Sequence, residues 1–152
     1  YVGLPEQLSR SEEIRSFCES LGLGFKSVNP LSRSDLVQQI RSIDVGLIFL
    51  DNSSLSSEKI EYTKKFKPNA KITNFQSYGI PTVCVEYESY KEFGKSAYLA
   101  CNSYEDVKES IKRLVLDKQL RRKLSDDSIE VSKDLLIGRI IDSYVKMIHE
   151  VT

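Results

Sequence analysis

Lys71 and Asn74 are the two side chains of this sequence whose types and spacing best fit a phosphate-bearing ligand. They are three positions apart, so a helix would place them one turn apart on the same face. A lysine ammonium binds phosphate, and an amide can both donate to and accept from a ribose hydroxyl. The pair therefore indicates a site for a phosphate beside a ribose. A solvated lysine on a surface helix is the alternative interpretation of the same residues.

The segment around Lys71 predicts a helix that begins near residue 68 or 69 and stops at Gly79. The free N–H groups and the positive dipole end of such a helix bind anions. We therefore expect Asn69, Ala70 and Lys71 to bind a diphosphate. A lysine in a first helical turn opposes the dipole, and a bound diphosphate would remove that conflict.

The sequence lacks the residues that other kinds of phosphate-binding or catalytic site require. Gly3-Leu4-Pro5-Glu6 after the first predicted strand is not the spaced glycine triplet of dinucleotide sites, and no Gly-Lys-Ser/Thr phosphate loop occurs. His149 is the single histidine, which argues against a zinc site or a Ser-His-Asp triad. Glu86 and Glu88 follow a predicted strand, and we interpret them as loop-shaping carboxylates rather than an acid/base pair. We expect neither a metal nor a cofactor.

Charge and cysteine content exclude further classes. Lysine plus arginine and aspartate plus glutamate both number 22, so the chain has no basic excess to attract nucleic acid. Cys18, Cys84 and Cys101 are widely spaced, which fits neither a disulfide framework nor a zinc motif and indicates a reducing compartment. Cys84 and Cys101 are predicted to be small core residues. No apolar run is long enough to cross a bilayer, so we expect a cytoplasmic protein that meets a membrane at most peripherally.

Alternating strand and helix patterns position these residues. Strands are predicted at residues 1–3, 25–28, 43–50, 80–85 and 98–101. Helices are predicted at residues 11–21 with Ser11 as cap, from 34 or 35 to about 40, 68–79, 90–95, 104–116 with Ser103 as cap, 117–134 and 137–151, with a short helix inside the polar stretch 51–67. This order predicts one α/β domain over residues 1–152, a doubly wound, Rossmann-like parallel sheet of about six strands with helices on both faces. The sequence begins at Tyr1 in the middle of a predicted strand, so we expect the chain to be a fragment of a longer protein.

Three parts of the sequence resemble the C-terminal, donor-binding domain of glycosyltransferases with the GT-B fold. Gly79-Ile80-Pro81-Thr82-Val83 resembles the Gly-x-Pro turn and buried strand that follow the family's donor-binding helix. Ile43-Asp44-Val45-Gly46-Leu47-Ile48 resembles the preceding strand, and the segments from Asn102 to Leu124 resemble the closing helices. The resemblance extends from about Val2 to Ile148. In this family the last helix usually packs back on the other domain.

The resemblance implies where a nucleotide sugar would bind. The nucleobase is expected at Val28, Asn29 and Pro30, the diphosphate at residues 69–71 and the ribose at Asn74. Asn74 has the position of the second glutamate of the family's Glu-x7-Glu pair, and Phe66 has that of the first. The family often has an arginine and a lysine after the first strand, and this sequence has neither there. Candidates to replace them are Lys64, Lys65 and Lys67.

The function expected from these features is transfer of a glycosyl group from a nucleoside-diphosphate sugar to an unknown acceptor. The resemblance places the acceptor and any catalytic base in an N-terminal domain absent from this chain, so the chain alone is expected to be inactive. Two alternatives remain open. One is an enzyme similar to the nucleotide-sugar 2-epimerases, and the other is a non-catalytic α/β interaction or receiver-like domain.

Overall fold

The computed structural model describes residues 10–27, 32–49, 57–66, 70–91 and 94–151. Within them, three strands form a parallel sheet in the order β1 (Gly46–Ile48), β2 (Thr82–Val85) and β3 (Leu99–Cys101). Leu47 pairs with Val83, and Val83 pairs with Leu99. The prediction of an α/β fold with a parallel sheet is confirmed.

The sheet of the described residues is smaller than the expected six strands. Residues 1–3 lie outside the described part of the chain, as does Val28. The rest of the predicted second strand, residues 25–27, is described and has no strand structure, so that prediction is wrong. Phe25 instead lies under the guanidinium of Arg15, whose Cζ is 5.1 Å from the ring centroid. The Phe25 side chain also packs against the hydrophobic core.

Helices account for most of the described chain. They are α1 (Ser11–Ser20), α2 (Arg33–Arg41), α3 (Ser57–Phe66), α4 (Ala70–Gln76), α5 (Glu88–Lys91), α6 (Tyr104–Leu116), α7 (Lys118–Ser132) and α8 (Ile137–Val151), with 3₁₀ turns at Lys95–Ala97 and Lys133–Leu135. The predicted segments at 104–116 and 137–151 are confirmed. Where one helix was predicted at 90–95, the structure has α5, which begins two residues earlier, and a separate 3₁₀ turn that begins at Lys95.

Local capping explains where two of these helices begin. Ser103 caps α6 as predicted: its Oγ accepts from the Asp106 N–H at 3.1 Å, and the Asp106 carboxylate accepts from the Ser103 N–H at 3.0 Å. The predicted cap of α1 is wrong, because Ser11 is the first helical residue and Arg10 holds the cap position with a φ of 56°. Gly22, at a φ of 73°, follows the end of that helix as predicted.

Two helices cover opposite faces of the sheet. A Cβ placed on Gly46 would lie 2.7 Å from Cδ2 of Phe75, so this residue faces α4. The next residue, Leu47, lines a cavity with Ile111 and Leu114 of α6. Because successive strand residues point to opposite faces, α4 and α6 lie on the two sides of β1. The expected covering of both faces is therefore present.

Candidate functional site

Helix α4 connects the first two strands and carries both candidate ligand-binding side chains. Its Phe75 packs against β1, and the Phe75 carbonyl accepts from the Ile80 N–H at 3.0 Å, which holds the turn into β2. The end of α4 therefore lies at the amino end of β2. Since α4 packs along both strands, its first turn points towards their carboxyl ends, the edge at which open α/β sheets bind ligands.

Asn74 is exposed on α4, and Lys71 lies partly buried one turn before it. The helix buries Ile72, Phe75 and Gln76. A spacing of three residues places the lysine and the amide on neighbouring turns. The structure thus confirms that both residues belong to one helix and leaves their ligand a prediction.

Of the three residues predicted to bind the diphosphate, the structure describes Ala70 and Lys71. Asn69 lies outside the described residues, as do the three predicted nucleobase residues Val28, Asn29 and Pro30 and the basic candidate Lys67. The described helix has seven residues, so its dipole is a weaker feature than the charge of Lys71. Lys65 is exposed on α3, whereas the Lys64 side chain is outside the described part.

The carboxyl end of β2 leads into a short acidic segment. Glu88 begins α5 and forms an ion pair with Lys91, with 2.7 Å between Oε2 and Nζ. The same hydrogen bond raises the pKa of Lys91 above its ordinary value, although partial desolvation opposes it. Glu88 thus participates in the local structure of its own helix, as expected for a loop-shaping carboxylate.

A group of buried tyrosines beside β2 was not identified from the sequence. Tyr87 and Tyr90 meet edge to face with ring centroids 5.0 Å apart, and Tyr98 is also buried. Burial raises the pKa of Tyr87 and of Tyr98 to about 12, with the Cys84 thiol as the next cause. These phenols remain neutral at physiological pH, and all three rings lie in the hydrophobic core. The closely spaced tyrosines of residues 87–98 were the available sequence signal.

Helix α3 presents a pair of aromatic rings to solvent. Tyr62 and Phe66 are 66% and 58% exposed, and their ring centroids are 4.8 Å apart with the planes inclined by 43°. The ammonium nitrogen of Lys65 is 5.5 Å from the centroid of the Phe66 ring. An exposed pair of rings with an adjacent cation is a surface on which a flat ligand can stack.

A cavity of about 790 Å³ lies on the other face of the sheet. Its lining includes Leu23, Phe25, Val45, Leu47 and Leu114. The lining also includes residues 42–45, which lead directly into β1. The cavity therefore lies towards the amino end of that strand. It therefore does not coincide with the α4 site predicted from the sequence.

The last helix exposes the apolar face predicted for it. The large apolar side chains of α8 that are exposed are Ile140, Ile141, Tyr144, Val145, Met147 and Ile148. A contiguous apolar surface of this kind commonly marks a contact with another protein.

Three further observations concern what the described residues can bind. They contain no group of three or more His, Cys, Asp or Glu side chains that could hold a metal ion. Among these same residues, no helix is both long enough and apolar enough to span a bilayer. His149 is exposed in the last turn of α8.

No protein-family model matches the chain, and no curated protein matches it.

Proposed function

We propose that this chain is the donor-binding half of a two-domain, GT-B-type glycosyltransferase that uses a nucleoside-diphosphate sugar. The observation that carries the proposal is the position of Lys71 and Asn74 one turn apart on α4, the helix before β2 of a parallel sheet. A ligand at the carboxyl edge of the sheet could contact both side chains.

The chemistry of the two side chains fits the parts of such a donor. A nucleoside diphosphate leaves with negative charge, and a preorganised cation at that position stabilises the transition state. Lys71 supplies this charge. Asn74, one turn further along α4, hydrogen-bonds a ribose hydroxyl, and the nucleobase binds at residues 28–30.

The acceptor and the catalytic base belong to another domain in this proposal. The exposed apolar face of α8 is the part of this chain that such a domain would cover. The whole enzyme is cytoplasmic and touches a membrane at most at its surface. The isolated chain binds the donor and does not turn it over.

Thermal unfolding with added nucleotides tests the proposal. Uridine, guanosine, adenosine and cytidine diphosphates are added singly, and one of them is expected to raise the Tm because a ligand bound only by the folded state stabilises it. Lys71→Ala should lose most of this stabilisation, measured as the difference in Tm with and without the nucleotide. Equal protection of both proteins would refute the phosphate-binding role of Lys71.

A non-catalytic interaction domain is the second candidate, favoured by the same apolar face of α8. In that case none of the four nucleotides would raise the Tm. Replacement of Tyr144 by lysine would instead abolish binding to a protein partner. The nucleotide experiment therefore separates the two functions.

A further inference from the structure

The turn between α6 and α7 carries the most exposed large apolar side chain of the described residues. Leu116, the last residue of α6, is 84% exposed, and Val115 beside it is 37% exposed. A single exposed leucine is common on protein surfaces, so the exposure alone indicates no function. Leu116 differs in its surroundings, because it lies where one helix ends and the next begins two residues later. We call residues 112–123 the α6–α7 corner.

The α6–α7 corner has a local excess of positive charge in a chain that is neutral as a whole. It contains six lysine or arginine residues and one carboxylate, Asp117. Lys123 forms an ion pair with Asp127, with 2.8 Å between Nζ and Oδ2, and the Asp117 carboxylate accepts from the Leu120 N–H at 2.8 Å. The five remaining cations are Lys112, Arg113, Lys118, Arg121 and Arg122.

Other carboxylates lie next to the corner rather than on it. Glu109 is one turn of α6 before it, and Asp126 is one turn of α7 beyond Arg122. Asp44 lines the neighbouring cavity, but Lys26 lines it as well. With all of these groups counted, the excess of charge around the corner stays positive and attracts an anionic surface.

Hydrogen bonds fix the corner in one conformation. The Asp117 N–H donates to the Arg113 carbonyl at 2.9 Å, and the Arg121 guanidinium donates to the Val115 carbonyl at 2.9 Å. These bonds satisfy carbonyl groups at the end of α6. Because the turn is already ordered, a surface that Leu116 enters does not have to order it first.

The corner lies at the edge of the sheet opposite to the proposed donor site. α6 begins after the carboxyl end of β3 and packs along β3 and β2, so its last turn points towards the amino ends of the strands. Leu114 in that turn lines the cavity together with residues 42–45, which lead into the amino end of β1. A surface bound at the corner therefore leaves the carboxyl edge open for a nucleotide.

An anionic bilayer fits an exposed aliphatic side chain with basic neighbours better than other anionic partners do. At a membrane, cations attract the headgroups and an aliphatic side chain enters the boundary between headgroups and acyl chains. Single-stranded nucleic acid is bound by aromatic rings that stack on its bases, and Leu116 has no such ring. Val115 and Leu116 also present far less area than the roughly 800 Å² that each partner buries in a stable protein interface.

We propose that the α6–α7 corner binds the surface of an anionic lipid bilayer. Leu116 inserts among the headgroups. The exposed cations that contact the headgroup phosphates and carboxylates around it are Lys112, Arg113, Lys118 and Arg122. This inference goes beyond the proposed function and does not depend on it, because none of these residues binds the donor.

Sedimentation with lipid vesicles tests the proposal on the 152-residue chain. One set of vesicles contains phosphatidylcholine alone, and the other contains an equal mixture of phosphatidylcholine and phosphatidylserine. The chain should sediment with the mixed vesicles and stay in solution with the neutral ones. High salt should release it, because added ions screen the attraction between exposed charges.

Two variants separate the charge of the corner from its apolar side chain. Lys118→Gln combined with Arg122→Gln should weaken binding by roughly 10- to 30-fold, since each cation at an anionic surface contributes about a fivefold factor. Leu116→Ala should weaken binding by roughly tenfold, because it removes three carbon atoms from the apolar boundary. Both variants change exposed side chains, and thermal unfolding verifies that they remain folded.

Matched changes on other helices serve as controls. Lys59→Gln combined with Lys65→Gln removes two exposed cations from α3, and Ile148→Ala removes an exposed apolar side chain from α8. Neither change should alter vesicle binding. The α8 control is needed because a helix with an exposed apolar face is itself a common membrane-binding element.

Any of four results would overturn the proposal. Absence of sedimentation with the mixed vesicles would exclude an anionic lipid surface as the partner. Equal sedimentation with both kinds of vesicle would show that the charge of the corner does not direct binding. Equal weakening by the α3 and corner charge variants would leave the corner without a special role. Loss of binding in Ile148→Ala but not in Leu116→Ala would assign the membrane contact to α8.

Discussion

Gly46 of β1 lies so close to the ring of Phe75 in α4 that a Cβ on the glycine would be 2.7 Å from Cδ2. This distance is too short for any side chain larger than hydrogen. The contact sets how closely α4 approaches the sheet, and therefore where Lys71 and Asn74 lie relative to its edge.

Gly46→Ala should destabilise the protein, because the added methyl group must displace the buried Phe75 ring. Overpacking of this kind costs about 1 to 3 kcal/mol of unfolding free energy. Urea unfolding measures the loss, and Phe75→Leu in the Gly46→Ala background should recover part of it. Gly138→Ala is the control: a Cβ there meets nothing within 4 Å, so this change should not lower the free energy of unfolding. Unchanged stability of Gly46→Ala would contradict the close approach.

Lys71 and Asn74 should affect different kinetic constants in a two-domain enzyme containing this chain. Lys71→Ala should lose about 2 to 4 kcal/mol of transition-state stabilisation, because its charge meets the leaving diphosphate. Asn74→Ala should raise the KM for the donor with little change in kcat, because a ribose contact is similar in the ground and transition states. Steady-state kinetics distinguishes the two, and a Lys71→Ala effect on KM alone would exclude the role in stabilising the leaving group.

The capping box of α6 should make stability depend on pH. The Asn102 N–H and then the Ser103 hydroxyl lower the pKa of Asp106 below its ordinary value. The folded state therefore binds this proton less readily than the unfolded state. The stabilisation is present above the ordinary carboxyl pKa of about 4 and is lost as the pH falls through the lower folded-state value.

Asp106→Ala should accordingly lower the Tm at pH 7, and this effect should shrink as the pH falls below about 4. Thermal unfolding at several pH values checks this, with Asp126→Ala, an exposed carboxylate of α7, as the control. Ser103→Ala should cost about 1 kcal/mol at neutral pH through loss of the cap. A difference between Asp106→Ala and wild type that does not change with pH would contradict the assignment.

Cys84 and Cys101 should be unreactive in the folded protein. Burial raises the pKa of the Cys101 thiol to about 12, and it also raises that of Cys84 well above its ordinary value. Thiolates are the reactive form, so a disulfide reagent at pH 8 should modify these two residues only after denaturation. Rapid modification of either residue in the native protein would show that β2 and β3 open locally.

These two cysteines are also placed so that they cannot form a disulfide. Cys84 is opposite Ala100, whereas Cys101 is opposite Val85. Because paired residues share a face and successive residues alternate, the two thiols point to opposite sides of the sheet. Their role as core residues, predicted from the apolar sequences around them, is confirmed by their complete burial.

Much of the local structure was determined by the sequence itself. Ser103 predicted the start of α6, because serine is a preferred residue at the N-cap of a helix. The apolar side chains within 137–151 recur at the helical period, which places them on one side of a helix. This spacing predicted α8 and its exposed apolar face. Continuous apolar runs likewise predicted β1 and β2 as buried parallel strands.

Other features were decided only by tertiary packing. Phe25 lies in a segment with a strand-like pattern, yet it packs beside Arg15 and against the core without strand structure. Neither the approach of Phe75 to Gly46 nor the burial of Tyr90 and Tyr98 follows from local periodicity, because each depends on a neighbour distant in sequence. Local hydrogen bonds and periodicity act over a few residues and can be predicted from the sequence, whereas close packing depends on the arrangement of all the elements.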